Sequence, residues 1–209
     1  MKRYIIPVLV LVLATVGFFV ASELLSYHSV TFTLDSNVKS VSVHSGEDSD
    51  EATASIKTIT PNDTSASLKE GEYYYLATGD DISVAQVPFS VTGDLTVTVK
   101  PNYSLKKLSD MAVSESPAIY SALAQKYPSV IKGFEINNLA LFQRGDWAGA
   151  VLSPIGMDAN NPEGYYRTIL HKVNNEWQVV GKPQLVLTLD NTPGVSRELL
   201  TSVNELSLR

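Results

Sequence analysis

The sequence predicts a chain in three parts: an N-terminal transmembrane helix over residues 1–22, an all-β antiparallel sandwich-like module over 29–101, and an α+β module over 103–209. Three observations carry this prediction. From Tyr4 to Ala21 every residue is apolar or small except Thr15 and the leading Tyr. From Ser29 to about Lys100 apolar residues recur with period two between clusters of turn-forming residues. After Pro101-Asn102 the pattern changes to a helical repeat followed by longer alternating runs.

The first part rests on length and flanking charge. Met1-Lys-Arg is followed by eighteen residues, which as a helix rise about 27 Å, close to the roughly 30 Å hydrocarbon core of a bilayer. Pro7 falls in the first turn, where its missing N–H costs least. The next cation after Arg3 is Lys39. The positive-inside bias then places the N-terminus in the cytoplasm and the bulk of the chain outside, with the lipid bilayer as its first partner. A cleaved signal peptide is the rival reading. Its apolar region is shorter, roughly 7–15 residues, and Val20-Ala21-Ser22 is a poor cleavage site with Phe18 and Phe19 crowding it. A buried soluble helix would need a polar face that this run lacks.

Composition excludes several function classes. Net charge is −6, and the segment after Lys2 and Arg3 carries −8. An acidic chain without clustered Lys and Arg does not suit nucleic acid. There is no cysteine, which removes disulfides, thiolate metal sites, a cysteine nucleophile and a lipid-attachment cysteine. It also favours a bacterial source over a disulfide-stapled eukaryotic exported domain.

In the second part, Val30-Thr-Phe-Thr-Leu34 and Leu95-Thr-Val-Thr-Val99 alternate cleanly. Val41 to Val43, Ile56 to Ile59, Tyr73 to Leu76 and Val87 to Val91 are shorter strands. Ser45 to Asp50, Pro61 to Asp63, Lys69 to Gly71, Thr78 to Asp81 and Thr92 to Asp94 supply the turns between them. Gly71-Glu-Tyr-Tyr-Tyr-Leu76 leading to a terminal TVTVKP strand resembles bacterial surface β-modules of the PEGA type.

In the third part, Ser104 to Met111 reads as one or two helical turns. Ser116-Pro117 reads as a fresh helix start, a hydroxyl cap before a proline at the first position. Ile119, Tyr120, Leu123, Ala124 and Tyr127 share a face, and Pro128 ends the helix. Four strands follow, Gly133 to Gln143, Trp147 to Ser153, Tyr165 to Val173 and Glu176 to Val180, joined by Arg144-Gly-Asp146, the stretch 158–164, and Asn174-Asn175. Leu185 to Leu189 is a fifth candidate, and Leu199, Leu200, Val203 and Leu206 mark a closing amphipathic helix. The Asp146-Trp-Ala-Gly-Ala150 strand, with the later hairpin ending Asn175-Glu-Trp-Gln-Val-Val180, resembles secreted bacterial members of the NTF2-like and cystatin-like groups. That resemblance implies a helix across a curved meander and does not imply a reaction.

The search for chemistry returns little. His28, His44 and His171 lack metal-ligand spacing, and no GxSxG elbow supports a serine triad. Glu47-Asp-Ser-Asp-Glu51 offers several hard oxygens, the donors calcium takes, without the spacing of an EF-hand loop. A solvated acidic loop is the plainer reading. Trp147, Tyr165 and Trp177 are the candidate ligand or partner surface, with both indoles on the concave side of the third part as one reading and core packing as the safer one for each. A pocket there would draw on Asp158, Glu163, Arg167 and His171, unless Trp147, Trp177, Phe134 and Tyr165 fill it. The expected function is a membrane-anchored extracytoplasmic binding or scaffold protein of the bacterial envelope. It would contact an envelope protein or glycan, with no cofactor and no catalysis. An enzyme with a pocket in the third part is the alternative.

Overall fold

The computed structural model describes residues 27–46, 54–156 and 164–208. The chain divides into two compact units, one reaching Asp80 and including Val84–Pro101, the other formed by Asp81–Ser83 with the chain from Asn102. Strands take 49% and helices 20% of the described structure. No described helix is long and apolar enough to cross a membrane. The expected order of transmembrane helix, all-antiparallel sandwich and NTF2/cystatin-like module is thereby corrected; residues 1–22, where the anchor was expected, lie outside the described residues.

The first unit holds seven strands: β1 (Tyr27–Leu34), β2 (Val38–Ser45), β3 (Lys57–Ile59), β4 (Ser65–Lys69), β5 (Gly71–Gly79), β6 (Gln86–Val91) and β7 (Leu95–Val99). They form two sheets, ordered β4-β1-β7 and β3-β2-β5-β6. Alternation decides the inward face: Val30 and Phe32, Val41 and Val43, Tyr75 and Ala77, and Val97 and Val99 are buried while the residues between each pair are not. Phe32 meets the Phe89 ring edge-on at 5.9 Å, joining the two sheets. One pairing departs from the sequence expectation. β7 lies parallel to β1, Val30 opposite Leu95 and Leu34 opposite Val99. Parallel neighbours need a long crossover, here the whole intervening chain, which strand-by-strand turn reading does not reveal.

The second unit contains α1 (Leu105–Lys126), α2 (Pro128–Ile131), β8 (Phe134–Phe142), β9 (Trp147–Pro154), β10 (Tyr166–Val173), β11 (Glu176–Gln184) and α3 (Arg197–Asn204). The strands form an antiparallel meander ordered β11-β10-β9-β8. Its tight turns use left-handed backbone at Gln143 (φ 58°) and Gly145 (φ 80°), and at Asn174 (φ 51°) and Asn175 (φ 65°). Asn and Gly tolerate that region best.

Two expectations about this unit are corrected. The break before Pro117 is absent: one helix of 22 residues runs from the Ser104 cap, whose Oγ accepts from Lys107 N–H, with Pro117 inside it. Burial of Leu108 and Ala112 before the proline and of Ile119 and Leu123 after it holds the two halves together. This offsets the hydrogen bond that proline cannot make, a cost of about 3 kcal/mol. The fifth strand is also absent. Around Leu187 the backbone pairs with a side chain: Leu187 N–H donates to Asn204 Oδ1, and Asn204 Nδ2 donates back to Leu187 O.

Both faces of the four-stranded sheet are covered. On one, Leu108, Ala112, Ile119 and Leu123 of α1 pack on Ala148, Ala150, Leu152 and Leu170. On the other, Leu199, Leu200 and Val203 of α3 pack with Leu187 and Val195 on Ile169. The central strand β9 makes this possible with small residues. Ala148 and Ala150 lie under α1, and Gly149 between them faces α3. A Cβ at Gly149 would stand 2.7 Å from Val203 Cγ2 and 3.0 Å from Phe142 Cε2. Gly149→Ala therefore overpacks this face and is expected to lower unfolding free energy by about 1–3 kcal/mol in denaturant titration. A loss below the error of the titration would contradict the close approach of α3.

Candidate functional site

The structure separates the residues that the sequence grouped. Trp147 and Trp177 do not share one side of the sheet. Trp147 packs with the α3-side cluster, its ring stacked on His171 of β10 with centroids 4.0 Å apart and planes at 12°. Trp177 belongs to the α1-side cluster and is 8% exposed. Tyr165 precedes β10 and receives the Arg167 guanidinium over its ring at 4.9 Å. The expected single concave aromatic surface is corrected accordingly: consecutive strand positions point to opposite faces, and the partners of the indoles, His171 and Lys172, are consecutive. Phe134 pairs with Tyr166, not with the indoles, at 5.1 Å.

The remaining candidates are occupied or lie elsewhere. Arg167 donates from Nη1 to Leu185 O and from Nη2 to Leu206 O, fastening the chain on both sides of α3. His44 stacks on Tyr74 at 5.0 Å. His28 Nδ1 stands 3.9 Å from Asp94 Oδ1, an oxygen that also accepts from Ser29 N–H. Asp158 and Glu163, and the acidic loop Glu47 to Glu51, fall outside the described residues. Among the described residues no group of three or more His, Asp or Glu could hold a metal ion.

One polar constellation escaped the sequence reading. Glu115 of α1 accepts from Lys172 Nζ through Oε1 at 2.6 Å and from Trp177 Nε1 through Oε2 at 2.7 Å. Lys172 Nζ also lies 5.5 Å from the centre of the Trp177 ring. The Lys172 hydrogen bond holds the Glu115 carboxyl below its usual range; burial opposes this and the Trp177 N–H supports it. The residue was overlooked because a helix beginning at Pro117 leaves Glu115 in a linker. The group pins α1 to β10 and β11. Both oxygens and the ammonium are engaged, which suits anchoring better than proton transfer.

A recess of about 600 Å³ lies in the second unit between α1 and β8. Leu105, Leu108, Ser109, Ala112, Val113 and Ser116 form its helical wall, and residues 137–141 its strand wall. None of these is titratable. Leu105 is 86% and Val113 78% exposed, so apolar side chains open outward along α1. The Asn138 side chain does not enter this recess: its Nδ2 donates to Ser207 O on the α3 side. The recess offers apolar contact and a strand edge, with no acid, base or nucleophilic pair in its lining.

No family model matches the sequence, and no curated protein matches it. Two solved structures are similar to it. A DUF3823 family protein from Bacteroides ovatus ATCC 8483 shares 10% identity over 74% of this chain and 96% of its own, with a TM-score of 0.25. A DUF3823 family protein from Parabacteroides merdae ATCC 43184 shares 11% over 74% and 94%, with a TM-score of 0.24. Scores at this level carry no argument, and they bear on neither the NTF2-like and cystatin-like nor the PEGA-type resemblance.

The Glu115 group gives a pH signature. A carboxyl held below its usual pKa stabilises the fold above that range, and the contribution is lost as pH falls through the folded value. Glu115→Gln is expected to lower unfolding free energy by about 1–3 kcal/mol near neutral pH. Measured against pH, the gap from the unaltered protein should close as pH drops below 4.5, the usual value. A gap of constant size across that range would contradict an ionised Glu115 as the anchor.

Proposed function

We propose that the protein is an extracytoplasmic binding or scaffold protein without catalytic activity, and that the second unit makes its contact with a protein partner through the recess between α1 and β8. The observation that carries this is the lining of that recess: eleven residues, apolar or neutral, none able to exchange a proton at ordinary pH. An enzyme pocket needs a few convergent polar groups with shifted pKa values, and the Glu115–Lys172–Trp177 group is committed to anchoring. A protein partner suits the recess better than a glycan. The Trp147 ring is stacked on His171 and the Trp177 ring is buried beneath Lys172, so neither indole offers an open platform for a sugar. Export is supported by Lys2-Arg3 ahead of the apolar run to Ala21.

A photo-crosslinking amino acid placed at Val113 and at Val186, both exposed, tests this in the cells that make the protein. Discrete protein adducts are expected from position 113 and not from 186. Equal adducts at both positions, or none at 113, would remove the recess as the contact surface.

A further inference from the structure

We propose that the partner on this surface is a second copy of the chain. Two β8 strands pair antiparallel about a two-fold axis normal to the sheet, and α1 of one copy lies along α1 of the other. This rests on reading the recess as a contact surface.

The first support is the state of the sheet edges. An unpaired edge is a template for another strand, and proteins blunt it with Pro, Lys, irregular backbone or shortness. β6 carries Pro88, β3 has three residues, and β4 has five and ends in Lys69. β7 has five residues bounded by Asp94 and Lys100-Pro101. β11, the other edge of the second unit, contains Lys182, Pro183 and Gly181 in left-handed backbone at φ 77°. β8 has none of these residues. Its one irregularity falls between Ile136 and Asn138, leaving Asn138–Phe142 in regular register with β9.

The second support is the helix beside that edge. Leu105, Ser109, Val113 and Ser116 recur at spacings of four, four and three, a single stripe along α1. Leu105 and Val113 project from it 86% and 78% exposed, with the small Ser109 between them leaving room for a facing helix.

The third support is charge. The chain carries −6 overall, yet the recess lining is uncharged, so a strand that fits there must be uncharged too. From Ile136 to Gln143 the chain has no charged residue, and Leu139 and Leu141 both point to the α1 side. β8 therefore meets the requirement set by its own groove. An axis normal to the sheet keeps both α1 helices on one face, so a single operation covers the β8 edge, open among the described residues, and the exposed stripe together. Such self-complementarity is what an isologous interface requires.

Sedimentation equilibrium on the full chain tests the proposal, with Val113→Glu and Ala140→Lys as disrupting variants and Val186→Glu as the control, each checked for folding by circular dichroism. A dimer is expected for the unaltered chain and the control, with dissociation constants at least about tenfold weaker for the two disrupting variants. If Val113→Glu fails to fold, Ala140→Lys decides. A monomeric unaltered chain, or a dimer indifferent to both changes, overturns the proposal. If the chain is monomeric while Val113 still crosslinks to a different protein, the contact-surface reading stands with another partner. If it is monomeric and Val113 crosslinks to nothing, both readings fall.

Discussion

Three residues in the middle of one strand, Ala148-Gly149-Ala150, set how the second unit can be built. Helices pack on a sheet at a distance fixed by the side chains between them, and interiors leave few voids. Alanines toward α1 and glycine toward α3 let both helices settle against β9. A large residue at any of the three would lift one helix and uncover the apolar residues around it. The strand has to be this plain because both of its faces are core.

That constraint shapes what the unit can do. With both faces covered among the described residues, several polar side chains join the layers. Glu115 ties α1 to β10 and β11, and Arg167 and Asn138 hold the carbonyls of Leu206 and Ser207. Among the described residues the sheet stays accessible at its borders, where α1 passes β8 and, with Lys126 in the lining, where it passes β11.

Much of the strand content was legible in the sequence, because period-two alternation is a direct image of a half-buried strand. Leu95 to Val99 is a strand with those same limits, and the meander from Gly133 to Val180 appears with its turns, Asn174-Asn175 among them. Other features left no local signal. The parallel pairing of β1 and β7 joins residues some 65 positions apart, as the Ser29–Asp94 hydrogen bond shows. β4 was missed because Ala66 and Leu68 are too few to stand out among serines. Pro117 misled in a physical way. Proline favours helix starts, but buried residues on both sides of it can carry a helix through. That single misreading hid Glu115, and with it the network that places Trp177. The two tryptophans were grouped by residue type, whereas register parity assigns them to opposite faces.

A second unit filled on both faces, pairing with a second copy through its β8 edge as proposed, has a signature in backbone exchange. Amide hydrogen exchange on the full chain, followed at low and high protein concentration, tests it most directly. Residues 147–152 of β9 are expected to be protected at both concentrations, and residues 138–142 of β8 to gain protection only when the protein is concentrated. Rapid exchange in β9, or a β8 whose exchange is independent of concentration, would contradict it.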